Sequence, residues 1–379
     1  MADLVVVGGG VIGLSIAREL AGQGMAVQLL EQGEIGREAS WAGAGMLPPG
    51  HLAGAQTSEA RLRAASHELW PSWSAQLREE TGIDNGYLRC GGVTVANLRP
   101  RAADGGGTSL GEGANCSSTP EFASARANWQ AEGVTVEPLT GAAIRERFPC
   151  LAESITEGFF LPDMGQVRNP RHLKALAAAC GQRGVELLPG HPVVGIQRHG
   201  ERIVSVKTPQ RIFEAREFVF AGGAWSSQLM QQAGVDFAVE PVRGQMVLLE
   251  ARPLPFRAVI EQGKRYLVPR PDGKILVGST EERAGFVKEN TAEAIAALIR
   301  FGTDLVPLLK SARFDRAWSG LRPHRIGELP YLGRIGGLQN ACVAAGHFRS
   351  GLQMSPITAV LIRQVVLGQA VALPEECVR

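Results

Sequence analysis

The amino-acid sequence predicts an α/β protein. A Rossmann-type nucleotide-binding domain is assembled from separated pieces around an inserted α+β domain built on a large antiparallel or mixed sheet. Three observations carry this expectation. The chain opens with an apolar strand, a GxGxxG turn and a helix. Strand–glycine–helix turns recur after Phe220 and after Ala345. The stretches between these turns are dense in strand patterns. At 379 residues the chain also exceeds one typical core. The expected boundaries are 1–86, 162–225 and 325–379 for the nucleotide-binding domain, with 87–161 and 226–324 for the inserted, substrate-binding one.

Each element has a local reason. LVVVG (Leu4 to Gly8) is apolar on both faces, as a strand inside a parallel sheet must be. VIGLSIARELAGQG follows as a helix, with Ile12, Ile16 and Leu20 on one face. Gly22 or Gly24 ends it in the left-handed conformation. AVQLLE (Ala26 to Glu31) completes a βαβ unit. Ser58 to Thr81 has a helical pattern, and Tyr87 to Asn97 reads as a strand pair or a bent strand. Residues 99–128 are rich in Gly, Ser and Ala and read largely as a long mobile loop, either a surface insertion or a lid over a site. Asn169 is placed to cap a helix with Pro170 at its first position. Strands are expected at VELL, PVVGIQ, IVSVKT and RIFEAREFVF, then at VRGQMVLLE, RYLVPR and ILVGST. Thr291 caps a further helix, and ACVAAG leads through a glycine turn into a last helix reaching Leu367.

Composition excludes several classes. The chain is 45% hydrophobic and 20% charged with a net charge of +2, which argues neither for nucleic acid nor for an acidic membrane surface. Six scattered cysteines, with no CxxC and no clustering with His, point away from disulfides and zinc and toward a reducing, cytoplasmic setting. The first residues lack a basic stretch and a cleavage site, so no secretory signal is expected. No apolar run approaches the roughly 20 residues needed to span a bilayer. GxxxxGK[ST] and metal-spaced His pairs are absent from the sequence.

The chemistry begins at Gly8, Gly10 and Gly13. The first permits the tight turn, the second lets backbone approach a pyrophosphate, and the third packs helix on sheet. Val11 and Ile12 open the helix, whose free N–H groups favour phosphate. Glu31, followed by Gln32, ends the second strand where a carboxylate accepts from ribose hydroxyls, which disfavours a 2′-phosphate. The fingerprint alone does not separate FAD from NAD. GREASWAGAGMLPP (Gly36 to Pro49) is dense in small residues, among them Ser40, Ala44 and Gly45, and lets backbone pass close to a large flat ring.

These stretches, together with FVFAGGAWS, RYLVPRPDGKILVGST, WSGLRPHRIGELPYLGR and AAGHFRSGL, resemble the D-amino acid oxidase-type FAD-dependent oxidoreductases. The similarity is greatest to the glycine oxidases of thiamine (thiazole) biosynthesis, and it runs in family order from residue 4 to about 367. The resemblance implies a glutathione-reductase-like FAD-binding domain with non-covalent FAD, Cys342 being a core residue rather than a flavin attachment point. It implies oxidation of glycine, sarcosine or small D-amino acids by hydride transfer to flavin N5. The products are an imine or 2-oxo acid, ammonia or an amine, and hydrogen peroxide, with molecular oxygen as acceptor. A homo-oligomer is also implied. Tyr266 and Arg322 are expected to hold the substrate carboxylate, with Arg349 beside the flavin and Met46 in the active-site wall. Val193, Val194, Gly222, Trp225 and the turn His347, Phe348, Arg349, Ser350, Gly351 and Leu352 are expected at the cofactor. One departure is Lys264, where the family pattern has His two residues before the Tyr. Such chemistry asks the protein chiefly for orientation, and the planar fork of Arg suits a carboxylate better than Lys does. A dehydrogenase passing electrons to another acceptor, or a non-catalytic FAD-binding subunit, remains open at this level.

Overall fold

The computed structural model describes residues 2–96, 120–325 and 329–378. Strand β1 (Ala2–Val7) runs into α1 (Val11–Ala21), and β2 (Val27–Leu30) completes the opening unit. Helix α2 (Ala39–Ala42), strand β3 (Met46–Leu47) and helix α3 (Ser58–Thr81) follow. Next come β4 (Leu88–Arg89), β5 (Gly92–Val95), α4 (Pro120–Ala131), β6 (Glu137–Thr140), α5 (Gly141–Arg147) and β7 (Glu157–Leu161). The chain continues through β8 (Gly165–Gln166), α6 (Asn169–Gln182), β9 (Glu186–Leu188), β10 (Gly195–His199), β11 (Arg202–Lys207), β12 (Ile212–Phe220) and α7 (Ser226–Gln231). Then follow β13 (Val239–Glu250), β14 (Val259–Gln262), β15 (Arg265–Pro269), β16 (Lys274–Gly278), α8 (Ala292–Leu305) and β17 (Arg313–Arg325). Strands β18 (Tyr331–Arg334) and β19 (Ala341–Ala345) and helix α9 (Gly351–Val366) come last.

The first large sheet has a parallel centre. β9, β2, β1, β12 and β19 lie side by side in parallel, with β18 antiparallel on one edge and β10–β11 joined antiparallel to the first half of β12. Leu4 and Val6 of β1 face a core with Leu14, Ile16 and Leu20 of α1 and with residues of α3, α6 and α9. Val5 and Val7 face the opposite core with Phe218 and Phe220. Both faces of β1 are therefore covered, which is why it is apolar throughout. The glycine turn after β1 is set by sterics. Gly8 has φ +113°, and a Cβ there would stand 2.2 Å from the carbonyl oxygen of Ala221.

The second large sheet runs β17-β13-β16-β15-β14-β5-β7-β6, antiparallel except where β14 meets β5. Alternation sorts its side chains. Leu267, Val277, Val247 and Ile260 pack against α8 and α5, while Tyr266, Met246, Leu276 and Val259 face the other way, toward Ala44 and Met46. β3, β8 and β4 form a small third sheet.

Two local expectations are corrected. Residues 120–128 belong to α4, where Phe122 is buried against Phe159, so that part of the expected loop is helical; 99–119 lie outside the described residues. Asn169 is the first residue of α6 rather than its cap, with its side chain turned inward. Of the two glycines expected to end α1, Gly24 takes the positive φ of +83° and Gly22 stays right-handed. Of the two expectations for Tyr87–Asn97, the bent strand is the one found: β4 pairs with β8, and β5 pairs with β7 and β14, the chain bending at Gly91. Thr291 accepts from the Ala294 amide at the start of α8, as the sequence predicts.

Candidate functional site

Two cavities meet along the seam between the large sheets. One, of about 200 Å³, lies at the end of β1 and β2, lined by Gly8, Glu31, Gln32, Val193, Gly222 and Trp225. The other, of about 340 Å³, lies between the α2–β3 segment, the start of α9 and the second sheet. Gly10, Ala39, Ser40, Ala221 and Gly223 line both, so the two form one elongated site.

The backbone around this site is shaped for close approach by a ligand. α1 begins at Val11 after Gly10, which brings no capping side chain, and its first turn holds no acidic residue to offset its positive end. Ser40 accepts from the Val11 amide at 2.9 Å. Glu31 accepts from Gly9 N at 2.7 Å and from Gly33 N at 2.9 Å, which holds its carboxylate at the cavity wall. Gly13 lies behind the turn, where a Cβ would meet the Gly8 oxygen at 1.9 Å.

In the larger cavity the second sheet supplies the floor. Register places Glu261, Tyr266, Gly278, Met246 and Trp318 in one row across β14, β15, β16, β13 and β17. Glycine makes room at Gly278, where a Cβ would stand 2.6 Å from the Tyr266 ring. On the same face as Trp318 and Gly320, Arg322 reaches across Gly244 and donates to Ser279 Oγ at 2.6 Å and to the Thr280 carbonyl at 3.1 Å. Burial pulls the Arg322 pKa below its ordinary value, Tyr266 and Glu281 oppose the shift, and the Arg349 charge adds to it. Arg349 donates to the Lys264 carbonyl at 3.0 Å and faces Glu281 at 3.9 Å, while Lys264 Nζ meets the same carboxylate at 3.3 Å.

Side chains from the second sheet also pin the loop above it. Trp318 Nε1 donates to the Ala42 carbonyl at 3.0 Å, and a Cβ on Gly320 would stand 2.5 Å from that of Ala42. Arg270, fully enclosed, donates to Ala44 O at 2.6 Å, Gln166 Oε1 at 2.6 Å and Val167 O at 3.0 Å. Its pKa is pulled down to about 10 by burial. Asn169 Nδ2 donates to Ser40 O at 2.7 Å, while its Oδ1 is buried without a partner at the cavity wall.

The structure brings together most residues the sequence singled out. Val11, Ile12, Ala44, Gly45 and Met46 line the larger cavity beside Tyr266 and Arg322. His347, Phe348, Arg349, Ser350, Gly351 and Leu352 close it from the start of α9. His347 is neutral, its pKa driven down to about 3 by burial. Val194 lines neither cavity and is 53% exposed, whereas its neighbour Val193 lines the smaller one. Sequence reading missed Gly244, Glu261, Arg270 and Asn169. The glycines at 244 and 278, inside otherwise unbroken strand patterns, were the available signal for a close approach.

Comparison with known proteins follows the same lines. The family described as FAD dependent oxidoreductase matches residues 3–365. A glycine oxidase of Pseudomonas aeruginosa is 34% identical over 372 residues, covering 97% of this chain and 95% of that protein. The crystal structure of glycine oxidase from Geobacillus kaustophilus superposes with a TM-score of 0.89 at 30% identity, covering 99% of this chain and 96% of that one. A bifunctional ThiO/ThiG protein of Nostoc is 33% identical, and this chain spans 53% of its length. Among the described residues no helix is long and apolar enough to cross a membrane, and no acidic, His or Cys cluster suits a metal ion.

Proposed function

As a member of the FAD-dependent oxidoreductase family the chain is an FAD-dependent enzyme that oxidises amines or amino acids, and we propose that its substrates are glycine and other small amines bearing a carboxylate, such as sarcosine and small D-amino acids. The observation that carries this reading is Arg322, held over a glycine at the floor of a cavity beside Tyr266.

The residues present fit FAD. A dinucleotide needs an elongated site, an open helix N-terminus, an acid for the ribose and backbone that a flat ring can approach. Here those are the joined cavities, the first turn of α1, Glu31, and the glycines and alanines from Ala42 to Gly45. The unpartnered Oδ1 of Asn169 is a buried acceptor awaiting a donor. When bound, FAD supplies the acceptor for two electrons and passes them on to oxygen as peroxide. In this reading the protein's own work is orientation. Arg322 takes both oxygens of the substrate carboxylate with its fork, and Tyr266 walls the pocket and adds a hydroxyl donor. The start of α9 directs its positive end at the cavity and favours negative charge there.

The test is an anaerobic titration of the yellow holoprotein with glycine, sarcosine, D-alanine, D-proline and L-amino acids, followed by peroxide measurement in air. Bleaching by glycine or sarcosine with peroxide on re-aeration is expected. Bleaching without peroxide, with turnover supported by an artificial acceptor, would make it a dehydrogenase. Unchanged flavin absorbance across the panel would remove the reading.

A further inference from the structure

Among the described residues lining the larger cavity, the charged side chains are Glu261, Lys264, Arg322 and Arg349, and Glu261 is the one acid. The three bases are engaged: Arg322 with Ser279 and Thr280, Arg349 with the Lys264 carbonyl, and Lys264 with Glu281. Glu261 is different. No hydrogen bond or ion pair joins its carboxylate to a described residue; the Arg349 charge acts on it only from a distance.

Its position is not accidental to the fold. In β14, Val259 and Glu261 point to the cavity side while Ile260 packs against α8. Antiparallel register sets Glu261 directly opposite Tyr266, which brings their Cβ atoms within about 4.5–5.5 Å. On its other side the parallel neighbour is Thr94, which carries no charge. The titratable groups that share the cavity with it are Tyr266 from β15, Lys264 from the β14–β15 turn, Arg322 from β17, and Arg349 with the neutral His347 from the turn before α9. Glu261 is half-buried at the cavity wall, so its unpaired carboxylate is reachable from the cavity and free to meet a ligand there.

An amino acid carries one carboxylate and one ammonium group. The clamp proposed above accounts for the first. We propose that Glu261 is a further substrate-binding residue: its carboxylate receives the ammonium of an amino acid whose carboxylate rests on Arg322, and it takes one proton, so that –NH3+ and –COO− become –NH2 and –COOH. This rests on the functional reading just given and adds to it the means by which the amine becomes neutral, as loss of hydride from the neighbouring carbon requires. Burial raises the Glu261 pKa to about 7, with Arg349 opposing, and a carboxyl poised near neutrality is a better proton acceptor than an ordinary one.

The experiment compares wild-type, Glu261→Gln and Glu261→Asp holoproteins, with flavin content confirming the fold. Two ligands are used: glycine, followed by kcat, KM and the pH profile of kcat/KM, and acetate, which lacks the amine, followed by the flavin absorbance change. Glu261→Gln should lower kcat/KM for glycine by about tenfold or more and abolish its acid limb near pH 7. Acetate binding should hold or tighten, because a negative charge is gone, and Glu261→Asp should restore part of the limb. An unchanged limb and KM for glycine would overturn the proposal. So would equal weakening of glycine and acetate, which marks a purely structural role. A wild-type protein that oxidises no amine overturns the functional reading first and this inference with it.

Discussion

The guanidinium of Arg322 occupies the space a side chain at Gly244 would fill: a Cβ on Gly244 would stand 2.2 Å from Nη2, 2.3 Å from Nη1 and 2.4 Å from Cζ. Gly244 pairs with Gly320, and Val242 pairs with Arg322, so the arginine reaches diagonally across its neighbour strand. The placement of the clamp thus depends on an absent side chain on another strand. Gly244→Ala should leave flavin content unchanged and displace the guanidinium. A shift on the order of 1 Å is expected to raise the KM for glycine by roughly tenfold to a hundredfold. Steady-state kinetics on the flavin-loaded variant check this, and an unaltered KM would show that Arg322 has other room to move.

Arg322 itself separates charge from geometry. Arg322→Ala should keep FAD and lose about 2–5 kcal/mol of carboxylate binding, read as a higher KM and a weaker acetate-induced flavin shift. Arg322→Lys retains a point charge without the planar fork. It should fall between wild type and alanine in affinity, with a larger loss in kcat than in acetate binding. Equal kinetics in all three proteins would remove Arg322 from the substrate-binding role.

Glu31 tests the nucleotide end. Its two oxygens accept from the amides of Gly9 and Gly33. Removing the acceptors leaves buried donors unsatisfied, a cost of about 1–3 kcal/mol. Glu31→Ala should therefore lose flavin on dialysis where wild type keeps it, with FAD affinity down at least about tenfold. Glycine kinetics measured in excess FAD should recover.

The cofactor end was more legible in the sequence than the substrate end, for physical reasons. Gly8, Gly10, Gly13 and Glu31 lie within one βαβ unit, so their relation is encoded by local spacing. The row Glu261–Tyr266–Gly278–Met246–Trp318 exists only through the register of five strands. Tyr266 and Arg322 were found through family motifs, not through spacing. Glu261 carries no motif, and a lone acid in a strand pattern looks like a solvated position until β5 and β15 enclose it. Arg270 was hidden the same way, since its partners Ala44 and Gln166 are remote in sequence.

Acid stability should be set in part by His172. It is fully buried, tilted 5.0 Å from the Trp70 ring, and paired with Asn85 Nδ2 at 3.2 Å. Burial, reinforced by the Arg18 charge, pushes its pKa down to about 3. A depressed histidine contributes stability that is complete above its unfolded pKa of about 6.5 and is lost as pH falls toward the folded value. At pH 5 the loss from this group approaches about 2 kcal/mol. His172→Phe should narrow the gap between urea midpoints of the holoprotein at pH 7 and pH 5. A gap as wide as that of wild type would place the acid sensitivity elsewhere.

Glu261 acts in the opposite direction. Its folded pKa, raised by burial to about 7, lies above the ordinary 4.5, so the fold favours the neutral acid. The stability linked to it is fully present below pH 4.5 and is lost as pH rises through 7. The difference of some 2.5 units, taken from those two values, corresponds to an upper limit of about 3 kcal/mol, reduced by any water in the cavity. Glu261→Gln keeps the shape and removes the titration. The variant holoprotein should be more stable than wild type at pH 8 and equal to it at pH 4.5, read from urea midpoints at both. Saturating acetate adds a second negative charge to the cavity and should widen the difference at pH 8. A variant that gains nothing at high pH would mean that the carboxylate is already neutralised by a partner in solution, and Arg349, whose charge acts on it, would be the group to replace next.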